Sequence, residues 1–172
     1  MKKILFSIIA LMAVMTVQAQ SICATWRTLQ PVVESNYDDS FSAQSFTYTF
    51  YDDGTYTLVD ELTQATEPSQ TMALEVASNI TIKGTYTLDG NKLTLVPNKD
   101  SYKTELINIS RNGRVVNDAK VKSSTISKLN AKDFKAQFTG RKDYTVRVGE
   151  ASMEMNDGTQ ALNYMRLATI KQ

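Results

Sequence analysis

Phe46-Thr47-Tyr48-Thr49-Phe50, then Tyr51-Asp52-Asp53-Gly54, then Thr55-Tyr56-Thr57-Leu58 is the stretch whose reading decides the fold. Large apolar side chains alternate with threonines, the period of a half-buried β-strand. Asp52-Asp53-Gly54 supplies turn chemistry between two such runs, so the segment reads as a hairpin. The same period continues downstream. Ile80, Ile82, Tyr86 and Leu88 share one face, with Thr81, Lys83, Thr85 and Thr87 opposite. Gly84 falls on the apolar face and marks a bulge or sharp bend of the kind barrels need. Asp89-Gly90-Asn91 is a second hairpin turn, before Leu93 and Leu95. Alternation returns in Phe134-Ala136-Phe138, in Tyr144-Val146-Val148 and from Leu162 to Ile170, with turn signals at Asn112-Gly113, Thr139-Gly140 and Asp157-Gly158. About eight to ten strands at this spacing predict an all-β, antiparallel meander barrel or a sandwich.

The stretches 31–44 and 60–72 are polar and lack alternation, and they read as long loops. Long loops at one end of a barrel are the usual place for ligand entry or partner contact. Short helical turns are expected only over Gln70–Ala77 and Val115–Val121, neither with both a cap and a long apolar stripe.

At the start of the chain, Lys2 and Lys3 precede an apolar run, and Val17-Gln18-Ala19 resembles an A-x-A cleavage site. Residues 1–19 therefore read as a signal peptide and 20–172 as one exported domain, periplasmic or extracellular. The apolar run is too short for a transmembrane helix, and no later stretch would span a membrane as one. Cys23 raises a second reading, a lipid anchor, but Ile22 before it and Gln20 at a position where Leu is usual argue against that. Cys23 is instead expected to be a small, mostly buried residue on the first strand.

Composition removes whole classes of chemistry. The chain has 172 residues, one Cys and no His, with a formal net charge of +1. Without His, Ser–His and Cys–His catalysis and the usual His-based metal triads are absent. One Cys forms no intramolecular disulfide. The near-neutral charge gives no footprint for nucleic acid. Asp38-Asp39, Asp52-Asp53 and Asp60-Glu61 are paired carboxylates, but no D-x-D-x-D-G loop surrounds them and no spacing selects two of them as a glycosidase pair. No metal, cofactor or catalytic residue is expected.

Several segments resemble, in order, the lipocalin-like domains of secreted Bacteroidetes proteins. Ala24-Thr25-Trp26-Arg27 is similar to the G-x-W opening of that family, with Ala24 in place of Gly. Phe50-Tyr51-Asp52-Asp53-Gly54-Thr55-Tyr56 resembles its F-x-x-D-G-T-Y hairpin. The run from Gly84 to Leu95 resembles its G-x-[WY]-x-[LI]-x-G-x-x-L-x-L segment. Ile126-Ser127-Lys128-Leu129 resembles a later strand, and Asn163-Tyr164-Met165-Arg166-Leu167 the closing Y-x-R strand. Residues 111–160 are longer and more basic than the resemblance leads one to expect. The resemblance implies a barrel closed by its first and last strands, with Trp26 at the base covered by Arg166, a structural pairing in which a guanidinium stacks on an indole.

Charge is unevenly placed. Residues 28–82 hold nine acidic side chains and no Lys or Arg, while residues 111–147 hold ten basic and three acidic ones. This reads as two faces that attract each other or are simply solvated, or as a basic patch for an anionic partner. Two functions fit the whole. One is a non-enzymatic secreted binding module for a small apolar or amphipathic ligand in the barrel, lined by Phe46, Tyr48, Phe50, Tyr56, Leu58, Ile80, Ile82 and Tyr86, with its pocket at the end that carries 31–44 or 60–72. The other is a cell-envelope interaction module whose barrel is filled by side chains and holds no small ligand.

Overall fold

A computed structural model of the protein describes residues 21–35, 40–69 and 72–168. The signal segment 1–19, Asp38-Asp39 and Ile170 lie outside the described residues. In chain order the strands are β1 (Thr25–Thr28), β2 (Val32–Ser35), β3 (Ser40–Phe50), β4 (Thr55–Ser69), β5 (Met72–Asp89) and β6 (Lys92–Pro97). They continue with β7 (Lys103–Arg111), β8 (Arg114–Val115), β9 (Lys142–Val148), β10 (Ser152–Asn156) and β11 (Ala161–Ala168). Two helices, α1 (Ala119–Leu129) and α2 (Lys132–Thr139), stand between β8 and β9.

Eight of these strands close an antiparallel barrel: β1, β3, β4, β5, β6, β9, β10 and β11. The seam joins the first strand to the last, with Trp26 opposite Arg166 and Thr28 opposite Tyr164. Alternation then dictates the interior. Trp26, Phe50, Tyr56, Leu58, Ile80, Ile82, Leu93, Leu95, Val146, Met153, Met155 and Tyr164 all point inward and are buried. Removing that much apolar surface from water is the main force holding the ring together.

Beyond the ring, β3, β4 and β5 continue as a sheet. Leu74 to Thr81 of β5 pair with β7, whereas Gly84 to Asp89 pair with β6. β5 changes partner at Gly84, where a Cβ would fall 2.4 Å from the Val96 carbonyl oxygen and 2.7 Å from the Tyr56 ring. Between the two partners, a short turn at Lys99–Ser101 fills the gap, and the Ser101 hydroxyl both accepts from Lys83 N and donates to Lys83 O. The β3–β4 turn is fixed by Asp53, whose carboxylate accepts from the backbone N–H and hydroxyl of Thr55 at 2.9 and 2.6 Å, with Gly54 at φ +78°. Only a glycine holds that backbone without strain.

Several expectations are corrected here. Residues 32–35, 40–44 and 60–69 are strands rather than loops, and Met72–Ala77 is the start of β5 rather than a helical turn. Backbone pairing carries on there although apolar alternation stops. The helix expected over Val115–Val121 starts instead at Ala119 and runs to Leu129, so Ile126–Leu129 is helical and not a strand. Its cap is Asp118, whose carboxylate accepts from the N–H groups of Lys120 and Val121, satisfying two donors of the first turn. Phe134-Ala136-Phe138 lies in α2, where Phe134 and Phe138 are four apart and share a helical face. Cys23 precedes β1 and is half-buried.

The helices are tied to the sheet by Tyr102, whose hydroxyl donates to the Leu129 carbonyl at 2.6 Å and whose ring lies 6.3 Å from that of Phe138. Asn130 adds a bond to the Thr104 hydroxyl. Tyr102→Phe leaves the buried carbonyl unpaired, and a loss of about 1–2 kcal/mol is expected. Hydrogen exchange should show it first in the last turn of α1, and unchanged protection there would refute the tether.

Candidate ligand site at the open end of the barrel

The two ends of the barrel differ. At the seam end, Trp26 is fully enclosed, its indole N–H donates to the Ile22 carbonyl at 2.8 Å, and the Arg166 guanidinium lies 5.4 Å from the indole centroid. Arg166 also donates to the Glu150 carbonyl. Tyr86 packs edge-on against Phe50 at 5.1 Å, and its hydroxyl donates to the Tyr51 carbonyl and lies 3.3 Å from the Cys23 sulfur. A stacked guanidinium that is partly desolvated is worth about 1–2 kcal/mol, so Arg166→Ala should lower stability by that amount in a denaturant titration. An unchanged midpoint would show that the stacking holds nothing in place.

Of the eight residues read as ligand lining, most are packed away from the far end of the barrel, and Tyr56 touches only a separate groove beside Gly84 and Pro97. Phe50, Ile80 and Ile82 are wholly enclosed, Tyr56 and Leu58 nearly so, and Tyr86 belongs to the closed end. Phe46 and Tyr48 line a cavity of 250 Å³ at the other end, between β2 and β3 on one side and β9 to β11 on the other. Next to it is a larger cleft of 480 Å³ between the extended sheet and the two helices. Leu62, Leu74 and Val76 line its sheet side, and Leu129, Phe134 and Phe138 its helix side. Glu34 and Gln44 line both spaces, so the two are neighbours across a shared wall. Both lie at the end that carries residues 31–44 and 60–66.

Asp60 is the residue that sequence reasoning missed. It was grouped with Glu61 as an acidic pair, but neighbours on a strand point to opposite faces. Glu61 points outward and takes two bonds from Arg27, at 2.6 and 2.7 Å. Asp60 points inward between Phe46 and Ile80 and has no exposed surface. Gln44 donates to its Oδ2 at 2.8 Å, while Oδ1 has no hydrogen-bond partner among the described residues. Burial pushes this carboxyl up to about 6, against the pull of the Gln44 bond and the Lys142 ammonium. Ser78, one diagonal step away on β5, is also buried, with a hydroxyl that has no partner among the described residues. The signal available in the sequence was positional: in Tyr56, Leu58, Asp60, Leu62, an acid occupies an inward slot.

Around this carboxylate the cavity is aromatic and polar. Tyr48 and Tyr144 both line it, and Tyr164 packs edge-on against Tyr48 at 5.9 Å. Burial drives the phenols of Tyr48 and Tyr164 well above their ordinary range, so both are neutral donors. Lys142 lines the same space half-buried. Burial lowers its ammonium while Asp60 and Asp157 hold it up, and it makes no hydrogen bond among the described residues. Asp157 itself is held low by the N–H groups of Gln160 and Thr159 and by the Thr159 hydroxyl. Taken together, apolar walls lead to a small set of converging polar groups, the usual make-up of a small-molecule site.

No helix among the described residues is long and apolar enough to cross a membrane. No family model matches the chain, and no curated protein is significantly similar to it. Among solved structures, the chain is similar to the crystal structure of an uncharacterized protein from Bacteroides eggerthii, with 12% identity and a TM-score of 0.40, over 84% of this chain and 98% of that one.

Proposed function

We propose that this protein is a non-enzymatic binding module, exported to the periplasm or beyond, that holds one small amphipathic ligand at the open end of its barrel. The observation that carries this reading is the 480 Å³ cleft between sheet and helices, next to the polar mouth of the barrel and sharing Glu34 and Gln44 with it. The size is within the range of small-molecule sites, and its apolar walls suit a tail while the mouth suits a head. The ligand belongs in the cleft and mouth, because the depth of the ring is packed by side chains. Titration with a neutral apolar fluorophore, N-phenyl-1-naphthylamine, tests it. One saturable site per chain is expected, weakened by Leu74→Trp, which fills the cleft. Absence of saturable binding to the folded chain would overturn it. That result would favour the second reading, an interaction module, to which the packed interior at Phe50, Ile80 and Ile82 already lends support.

A further inference from the structure

We propose that the head group held in the mouth cavity is an organic cation, an amine or quaternary ammonium carried on an apolar tail. This rests on the ligand-binding reading above and adds the chemistry of the head. Three features converge on it. First, Phe46, Tyr48, Tyr144 and Tyr164 all line the cavity, and aromatic faces attract a desolvated cation through the negative potential over the ring. Second, carboxylates outnumber ammonium groups there. Glu34 and Asp157 line the space, Asp60 lies behind Gln44, and Lys142 is the one basic residue among the described lining. An anionic head would meet two carboxylates with a third behind them, whereas a cationic one meets a net negative field.

The third feature is the strongest. Asp60 is fully buried, and its Oδ1 accepts no hydrogen bond among the described residues. Its other oxygen is bonded to Gln44, a residue that lines both cavity and cleft. Its field reaches Lys142 and Tyr164, which line the cavity as well. A buried acceptor without a donor is costly, and a positive head at the mouth offsets that cost through its field; a primary amine, which unlike a quaternary ammonium has N–H groups, also donates to it where Gln44 turns aside. Lys142 reaches the same region on a flexible stem, so it can yield the place to a ligand.

Calorimetric titration of the full chain with decyltrimethylammonium, decanol and decanoate, each below its micelle-forming concentration, tests the head group with the tail held constant. Decyltrimethylammonium is expected to bind roughly tenfold or more tighter than decanoate. Asp60→Asn, which still accepts from Gln44, should remove roughly tenfold of the ammonium affinity and leave decanol unchanged. Glu34→Gln, at an exposed position where folding is not at stake, should weaken the ammonium about twofold to threefold. Decanoate binding as tightly as the ammonium overturns the inference. So does ammonium affinity that is unchanged in both variants. Binding of decanol and decanoate without the ammonium defeats the head-group assignment alone, while failure of all three ligands defeats the binding reading with it.

Discussion

Asp60→Val should make the folded chain more stable, by about 2 kcal/mol at pH 8, although it removes a hydrogen bond. The carboxylate is enclosed on the inner face of β4, with one oxygen unpartnered among the described residues and Lys142 interacting only through its field. Taking a charge out of water costs more than such partners return, and replacing buried ionic groups by apolar ones of similar size is often stabilising. Valine also suits a central strand. The gain should depend on pH in a defined direction. The folded carboxyl titrates near 6, above its ordinary value of 3.8, so as pH falls the folded chain takes up the proton before the unfolded chain does. Wild-type stability from this group therefore rises as pH drops from 8 to 4, by up to about 3 kcal/mol, and falls again as pH returns through 6. Urea titrations of both proteins across that range would measure it. The advantage of the variant should be largest at pH 8 and gone by pH 4, and an advantage that does not vary with pH would show that Asp60 is not the group responsible.

Gly84→Ala is expected to act the other way, with a loss of about 3 kcal/mol or more. The backbone at Gly84 is not in the left-handed region, so alanine incurs no dihedral strain and even gains a little from a less flexible unfolded chain. The cost is steric. Its methyl carbon would lie 2.4 Å from the Val96 oxygen, 2.7 Å from Tyr56 Cε1 and 2.9 Å from Pro97 Cα. Two of those three atoms are backbone of the partner strand and cannot turn aside. Tyr56→Ala in the same chain removes the third clash, so the double variant should lose less than the two single losses added together. Full additivity would mean that Tyr56 does not press on Gly84.

The parts of the fold that could be read from sequence are those where the inner face is dry. Phe46 to Leu58 and Ile80 to Leu95 alternate cleanly because their inward slots meet the core, and the hairpin at Asp53-Gly54 falls where the residues place it. The same strands were lost to view at Ser40, Ser42, Gln44, Gln64 and Thr66, which line the cleft instead of the core. Polar residues are tolerated at inward slots there, so the period-2 signal fades while the backbone ladder continues unbroken from Phe50–Tyr56 to Ser40–Thr66. The apparent loops are thus strands that line the cleft, seen through their loss of hydrophobic pattern. In α2 the ambiguity was one of period. Phe134 and Phe138 fit both a strand and a helix, and half-exposed Lys135 with exposed Ala136 and Gln137 does not decide between them without the sheet they pack on.

Closure of the ring by β1 and β11 sets the order in which the structure can assemble. The β3–β4–β5 meander joins neighbours in the chain and can zip up early, whereas pairing Trp26 with Arg166 must wait until nearly the whole chain has been gathered. With that seam unpaired, the same strands form an open, curled sheet with two bare edges. Each edge fits the other edge of a second copy as well as its own, since the register is the same, so folding at high concentration offers an exchanged dimer as the competing product. Speed of seam formation, more than depth of the native minimum, then decides how much monomer is obtained.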